Sequence, residues 1–298
     1  MSSADISFNK KMQFEYGEVQ QITGLVRRLV AKNPSGFTFY GTNTYIIGHD
    51  RVVVIDPGPA LKGHIKALEN SLSGETVEQI LVTHTHHDHS PGAALLKNLV
   101  GGEIQGASLK AMPAGEAPTE SIDYSFSPDQ EIKNGDIIKG DGWALEAVFT
   151  PGHMSNHMCF ALDEENILFT GDHIMGWNTT IVSPPDGNMG DYMESLEVCL
   201  ERKEKTYWPA HGPAIMHPKP FTRAYKKHRL MREKDILHCI EKGLQTIPKI
   251  VQVLYKHLPE KMHSAAARSV LAHLQNLVGS GKIKCDGIAN EHATYKVV

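Results

Sequence analysis

The chain has 298 residues, of which 41% are hydrophobic, a composition typical of a globular protein and unlike that of a disordered or membrane-spanning chain. Its N-terminal segment lacks the apolar stretch of a secretory signal, and the sequence contains no run of about 18 apolar residues. The four cysteines are far apart and form no C-x-x-C pair, which indicates free thiols rather than a disulfide framework. We therefore expect a soluble, cytoplasmic protein that does not act at a membrane.

The charge is divided unevenly along the chain. The formal net charge is −4, but residues 1–221 carry 16 Lys and Arg against 28 Asp and Glu, whereas residues 222–298 carry 14 against 6. An acidic body with a basic tail is one pattern of proteins that bind polyanions, because clustered cations release counterions from a phosphate backbone. A solvated helical surface gives the same excess, so the charge alone leaves both interpretations open.

The first part of the chain alternates strands and a helix. Strands are predicted at residues 21–31, 44–48 and 52–55, and the last of these is an unbroken β-branched run that suits a strand buried on both faces. Helical spacing follows at 62–72, and a further strand is predicted at 79–82. This strand, helix, strand order leads directly into the most unusual segment of the sequence.

That segment is an apolar run that ends in four candidate metal ligands, His84, His86, Asp88 and His89. Residues two apart on extended backbone point the same way, so a chain leaving a strand here aims the first three side chains into one space. A turn then brings His89 in. One ion rarely takes four ligands from so short a span, and we therefore predict two ions with further ligands from later in the chain.

The rest of the first 221 residues contains a second series of strands. In chain order we predict a helix at 92–100 capped by Ser90, a surface loop or insertion at 107–127, strands at 137–138, 144–150, 158–162 and 167–170, a helix at 191–202, and a short strand at 207–210. Asp191 and Glu194 have the spacing of a capping box for the second of these helices.

Residues 222–298 have a different character and are predicted to form a separate domain. Helices are indicated at 221–242, 247–257 and 263–278, followed by a hairpin, an order typical of a winged helix-turn-helix. The apolar stripe of the third helix would suit either a DNA-type recognition helix or a packed helix, and a dimerisation module is the alternative; the stripe comprises Ala265, Ala266, Val270 and Leu274. Nearby cations favour contact with backbone phosphates, namely Lys261, Arg268, Lys282 and Lys284.

Three later segments repeat the pattern of a strand that ends in a ligand. They are Thr-Pro-Gly-His153, Thr-Gly-Asp172 and Pro-Ala-His211-Gly, each with a small or turn-forming residue beside the ligand. Imidazole and carboxylate ligands suit zinc, and no thiolate is offered nearby. Iron and manganese are the alternatives.

The H-x-H-x-D-H motif, followed by Pro-Gly-His, Gly-Asp and His-Gly, resembles the metallo-β-lactamase superfamily over roughly residues 20–215. The resemblance implies an α+β fold for residues 1–221, an αββα sandwich of two mixed sheets. It also implies two zinc ions, the first held by His84, His86 and His153, the second by Asp88, His89 and His211, with Asp172 touching both.

Two ions about 3.5–4 Å apart can share a water and supply hydroxide near neutral pH, so we expect hydrolysis in which Asp88 and Asp172 act with metal-bound hydroxide. Asp56 matches the first aspartate of the superfamily motif and is predicted to orient ligands, with a structural turn as the alternative. His157 would either support a ligand or cap a strand. His87 and His173 are expected to point away from the ions. Tyr192 is expected to pack in the core, with contact to substrate as the alternative.

Segments 41–45 and 191–196, together with the C-terminal winged helix, resemble the β-lactamase-like protein 2 family, which implies cleavage of single-stranded RNA bound by the basic C-terminal domain. Hydrolysis of a small-molecule thioester, lactone or ester is the alternative. Asp172 stands where true β-lactamases use cysteine or serine, so β-lactam hydrolysis is at most a side activity. A nucleic-acid-binding regulator with a structural metal is less favoured, because the ligand set is complete.

Overall fold

Two β-sheets face each other across an apolar core, and helices cover their outer surfaces. The computed structural model describes residues 6–109 and 121–298, so residues 110–120 of the predicted loop and the side chain of Lys261 lie outside the described part. The first sheet is mixed, antiparallel up to β4 and parallel from β4 onward. Its strands in spatial order are β1 (Gln20–Gln21), β2 (Val26–Val30), β3 (Asn43–Ile47), β4 (Arg51–Ile55), β5 (Thr76–Leu81), β6 (Glu103–Gly106) and β7 (Gln130–Glu131).

The second sheet closes the sandwich. Its strands in spatial order are β12 (Thr206–Pro209), β11 (Ile167–Gly171), β10 (Met158–Leu162), β9 (Trp143–Phe149) and β8 (Ile137–Gly140). Helices α1 (Lys62–Ser71) and α2 (Gly92–Val100) cover the first sheet, and α3 (Met189–Glu201) covers the second. The predicted αββα sandwich is therefore confirmed.

Strand β4 shows why the sequence forms these layers. Val53 and Ile55 face the second sheet, whereas Val52 and Val54 face the outer helices, and none of the four is more than 1% exposed. A strand with both faces covered has no position for polar side chains, which explains its unbroken apolar run.

The C-terminal residues form the predicted winged helix. Its elements are α4 (Pro218–Glu241), α5 (Ile247–Leu254), a short 3-10 helix (Glu260–Met262), α6 (His263–Gly279), and a hairpin of β13 (Ile283–Cys285) and β14 (Tyr295–Val297). Ala266, Val270 and Leu274 of the predicted stripe are buried in the core that these elements share. The stripe is thus a packed face and not an exposed recognition surface.

The winged helix also packs on the catalytic sandwich. Ala272 of α6 and Tyr225 of α4 lie in the apolar cluster between α3 and the second sheet. Residue 221, where we predict the first domain to end, falls inside α4. The division at 221 stays a prediction, and no helix within the described ranges is long and apolar enough to cross a membrane.

Two predicted helix caps are wrong. Helix α2 is preceded by Pro91, and Ser90 instead donates its hydroxyl to Asp123 at 2.8 Å. Helix α3 begins at Met189 because the side chain of Asn188 accepts a hydrogen bond from the amide of Asp191 at 3.0 Å. Asp191 is therefore the third residue of the helix and not its cap.

Candidate metal centre

Four strand ends deliver the predicted ligands to one edge of the sandwich. The His84–His89 loop follows β5 of the first sheet, and the later ligands follow β9, β11 and β12 of the second. Those three strands run in the same direction, so His153, Asp172 and His211 emerge at the same end. All seven side chains come together there, which no single local pattern in the sequence dictates.

The first group of donor atoms comes from His84, His86, His153 and Asp172 and lies within 4.8 Å. Nδ1 of His86 is 3.0 Å from Nε2 of His84 and 3.0 Å from Nε2 of His153. Oδ2 of Asp172 lies 3.6 Å from Nε2 of His153. Three imidazole nitrogens and one carboxylate oxygen thus converge on a space of the size of one ion.

The second group comes from Asp88, His89 and His211. Oδ2 of Asp88 is 3.1 Å from Nε2 of His211 and 3.5 Å from Nε2 of His89. Oδ1 of Asp172 is 3.3 Å from Nε2 of His211, while its other oxygen faces the first group. The Asp172 carboxylate therefore lies between the two groups.

Outer partners fix the ring nitrogens that point away from the centre. Asp56 accepts hydrogen bonds from the amide and hydroxyl of Thr83, both at 2.8 Å, and from Nδ1 of His89 at 2.9 Å. The Thr83 hydroxyl in turn lies 2.9 Å from Nδ1 of His84. When Nδ1 of an imidazole donates outward, its Nε2 lone pair is free to bind a metal.

His153 and His211 are oriented in the same way by backbone carbonyls. Nδ1 of His153 lies 2.6 Å from the carbonyl oxygen of Ile181, and Nδ1 of His211 lies 3.1 Å from that of Gly41. The Nδ1 atoms of four rings therefore face outward and have hydrogen-bond partners, namely those of His84, His89, His153 and His211. His86 differs, because its Nδ1 faces the centre.

The residues present fit a bound metal. Nε2 of His89, Nε2 of His211 and Oδ1 of Asp172 are buried and make no hydrogen bond of acceptable angle, although carboxylate oxygens lie near both nitrogens. Buried polar atoms without partners are costly, and a cation at this position would engage all three. The donor set of imidazoles and carboxylates suits a divalent transition metal such as zinc.

Electrostatics distinguish the two groups. Burial lowers the pKa of His84 and of His153, and burial and the neighbouring His153 lower the pKa of His86 to about 3, so these rings are neutral. Burial would also lower the pKa of His211, but Asp172 and Asp88 outweigh it and raise that pKa to about 10. Likewise, Asp88, Asp56 and Asp172 hold the pKa of His89 well above its usual value despite burial.

The structure also shows what the neighbouring predicted residues contact. Nε2 of His157 accepts a hydrogen bond from the backbone amide of Asp172 at 3.1 Å, so this ring supports a ligand and does not cap a strand. His87 is exposed, whereas His173 is fully buried against Tyr192 with ring centroids 4.9 Å apart. Tyr192 is a core residue whose hydroxyl donates to the carbonyl of His173.

Several supporting residues escaped prediction. Thr83 connects Asp56 to His84, and its position directly before the first ligand was the available signal. Asn156 donates to the Thr85 hydroxyl at 3.1 Å and so fixes the ligand loop from the second sheet. That contact joins residues 71 positions apart, and nothing local in the sequence indicates it.

Glycine explains how the backbone approaches so crowded a centre. Gly171, next to Asp172, has φ of +49°, and an added Cβ would lie 2.5 Å from Nε2 of His157. Gly152, next to His153, has φ of +133°, and a Cβ there would lie 2.3 Å from the Cα of Tyr192. Any larger residue at either position would displace a ligand or its support.

The layered fold and the two donor groups define a metallo-β-lactamase-type hydrolase domain. The comparison with known families agrees, since the family described as Metallo-beta-lactamase superfamily matches residues 37–211. A second family, described as Beta-lactamase associated winged helix domain, matches residues 246–290. The chain therefore belongs to the metallo-β-lactamase superfamily and carries the associated winged helix.

Similar proteins extend over nearly the whole chain. A Beta-lactamase-like protein 2 homolog from Drosophila melanogaster is 32% identical over 92% of this chain and 94% of its own length, which confirms the predicted resemblance. An Atrochrysone carboxyl ACP thioesterase from Aspergillus chevalieri is 30% identical over 89% of this chain and 85% of its own. A solved beta-lactamase domain protein from Burkholderia ambifaria is 19% identical and shares the fold, with a TM-score of 0.81 over 97% of this chain and 96% of that one.

The contacts of Asp56 predict a specific metal defect. In Asp56→Asn, an amide NH₂ facing Nδ1 of His89 would favour the tautomer that protonates Nε2, so metal affinity should fall about 10–100-fold. The measurement is competition for zinc with a chelator of known affinity. Asp50→Asn is the control, since Asp50 also has positive φ but is exposed. Equal affinities of the two variants would rule out the orienting role.

The pKa values predict that the two groups bind metal with different pH dependence. His89 and His211 carry protons that an incoming ion must displace, whereas the rings of the first group are already neutral. Affinity at the second group should therefore rise with pH up to about 10, the pKa of His211, with proton release, while affinity at the first group changes less. Calorimetry in buffers of different ionisation enthalpy measures this, and His211→Ala should remove about half of the release, because His89 still carries its proton. Equal proton release on metal binding at the two donor groups would contradict this prediction.

Proposed function

We propose that this protein is a metal-dependent hydrolase that cleaves phosphodiester bonds of single-stranded RNA. The observation that carries the hydrolytic part is the position of Asp172 between two complete groups of donor atoms. When bound there, the metal ions supply positive charge that polarises the scissile group and lowers the pKa of water. We propose zinc as the metal, with two ions, because each group offers the ligands for one.

The exposure of the ligands indicates where the substrate enters. His84, His89, His153, Asp172 and His211 are all at most 8% exposed, whereas the side chain of Asp88 is 28% exposed. The scissile group would therefore approach over Asp88 and over His86, which is also partly exposed. Because His89 and His211 outweigh burial and hold the pKa of Asp88 well below its usual range, its carboxylate stays ionised and can accept a hydrogen bond from the attacking water.

Asp172 would act differently because it is buried. Although burial opposes ionisation, His211 and His89 keep the pKa of this carboxyl below its usual range, so it is already a carboxylate before metal binds. Its backbone amide is held by His157 and both of its oxygens face donor groups. We therefore propose that Asp172 orients the reacting centre and does not donate a proton.

The β13–β14 hairpin, which is the wing of the winged helix, supports the proposal of a polyanionic substrate. Lys284 of β13 lies directly opposite Lys296 of β14, and both side chains are exposed. Like charges directly opposite each other destabilise a hairpin, so this arrangement favours an anionic partner. Not every predicted cation contributes, because Lys282 is paired with Glu233 at 2.7 Å. Arg268 of α6 is exposed, so it stays available for the proposed contact with phosphates.

Thioester hydrolysis is the second candidate, and the relative from Aspergillus chevalieri, which is called a thioesterase, favours it. A dinuclear centre of this kind polarises acyl and phosphoryl groups alike. The metal centre therefore does not distinguish the two substrates, and the distinction rests on the winged helix.

Loss of a ligand should abolish metal binding and turnover together. Asp172→Ala and His153→Ala are expected to lower activity by more than about 100-fold, since replacing even outer partners of metal ligands costs 10–100-fold. Metal content per chain and cleavage of labelled single-stranded RNA are measured in parallel. His87→Ala is the control, since His87 is exposed beside the ligands. Full activity in Asp172→Ala would contradict the assignment as a metal-dependent hydrolase.

The paired lysines give a test of substrate class. Lys284→Glu should stabilise the hairpin by about 0.2–1 kcal/mol through a new pair with Lys296, yet weaken RNA cleavage and reduce the salt slope by about 1. Thermal unfolding and cleavage rates at several salt concentrations measure the two effects. Lys62→Glu at the start of α1, whose side chain is also exposed, is the charge-matched control.

The same assays are run with acyl thioesters, S-lactoylglutathione and lactones. Turnover of thioesters or lactones alone, with no cleavage of RNA, would overturn the RNA proposal in favour of the second candidate. Unchanged RNA cleavage and salt slope in Lys284→Glu would instead exclude the wing from substrate binding.

A further inference from the structure

One segment of the sandwich positions two ligands of the first donor group, Asp172 and His153. It runs from residue 172 to residue 181 and is named here the Asp172 segment. At its start is Asp172 itself, and at its end the carbonyl oxygen of Ile181 accepts the Nδ1 hydrogen of His153 at 2.6 Å. Within it, the Thr180 hydroxyl donates to the carbonyls of Asp172 at 2.8 Å and His173 at 3.0 Å. The position of this backbone therefore sets two ligands at once.

Helix α4 holds the Asp172 segment from outside. The hydroxyl of Tyr225 donates to the carbonyl oxygen of Met175 at 2.7 Å and to that of Asn178, and it accepts from the Met175 amide at 3.2 Å. One turn further along α4, Nη2 of Arg229 donates to the carbonyl oxygen of Thr180. These contacts join residues 47 to 50 positions apart in the chain.

The surroundings of Arg229 make this contact difficult to replace. Arg229 is 4% exposed, and its guanidinium carbon lies 5.2 Å from the centre of the Tyr192 ring. Among residues 6–109 and 121–298, no ion pair involves Arg229, and its Nε makes no hydrogen bond. A buried cation needs compensation, and here the carbonyl of Thr180 and the face of Tyr192 supply it.

We propose that Tyr225 and Arg229 are positioning residues of the metal centre. Their hydrogen bonds go to backbone atoms of the Asp172 segment and not to the side chains of the ligands. By fixing three carbonyls of the Asp172 segment, they set the place of Asp172 between the donor groups and the orientation of His153 through Ile181. Helix α4 is thus part of the metal site, whichever bond the enzyme cleaves.

The test is retention of zinc by variants that remain folded. Arg229→Met removes the guanidinium, Arg229→Lys keeps the charge, and Tyr225→Phe removes only a hydroxyl. Zinc affinity, measured by chelator competition, should fall about tenfold in Arg229→Met and Tyr225→Phe, with partial recovery in Arg229→Lys. Arg232→Met is the control, because Arg232 is on the same helix but stacks on Tyr255 at 4.7 Å.

A general loss of stability is separated by measuring unfolding of each metal-free variant. The proposal requires that zinc affinity fall at temperatures where the metal-free variant is fully folded. If Arg229→Met fails to fold, Tyr225→Phe decides, since it keeps the ring in the core. Wild-type zinc affinity in folded Tyr225→Phe, and in Arg229→Met where that variant folds, would overturn the proposal. No substrate enters these measurements, so their outcome is independent of whether RNA is cleaved.

Discussion

The carboxylate of Asp56 accepts hydrogen bonds from the amide and hydroxyl of Thr83 and from Nδ1 of His89, and the geometry of the metal centre depends on it. It reaches one ligand of each donor group, His89 directly and His84 through the Thr83 hydroxyl. Asp56 has φ of +48°, an unfavourable conformation for a residue other than glycine. The parallel pairing of β4 with β5 places it beside Thr83, so the sheet supports this conformation and the site is built on rigid backbone.

Much of the catalytic domain was predictable because its signals are local. The apolar run of β4, the ligand-rich loop after β5 and the glycines beside the later ligands each follow from a few neighbouring residues. The two helix caps were predicted wrongly because another side chain competes for the position or because the true partner is distant in the sequence. The side chain of Asn188 caps α3 in place of Asp191. The Ser90 hydroxyl donates to Asp123, which is 33 residues away in the sequence, and does not cap α2.

The same limit applies to the support of the centre. The contacts of Asn156 with Thr85 and of Arg229 with Thr180 connect separate layers of the fold, and neither leaves a periodic trace in the sequence. In residues 222–298 the overall property was predictable, but the contribution of each residue was not. Their net positive charge was evident from composition, but only the fold separates Lys282, whose charge Glu233 neutralises, from the exposed Lys284 and Lys296.

Helix α4 has 24 residues and is therefore about 36 Å long. Its first half contacts the Asp172 segment, and its second half contributes Ile236 and Ile240 to the core of the winged helix. Because α4 is continuous from the Asp172 segment to the core of the winged helix, a tilt of the winged helix would displace the carbonyls that Tyr225 and Arg229 hold. Any ligand of the winged helix that tilts α4 changes metal affinity, and the metal must then change the affinity for that ligand by the same factor.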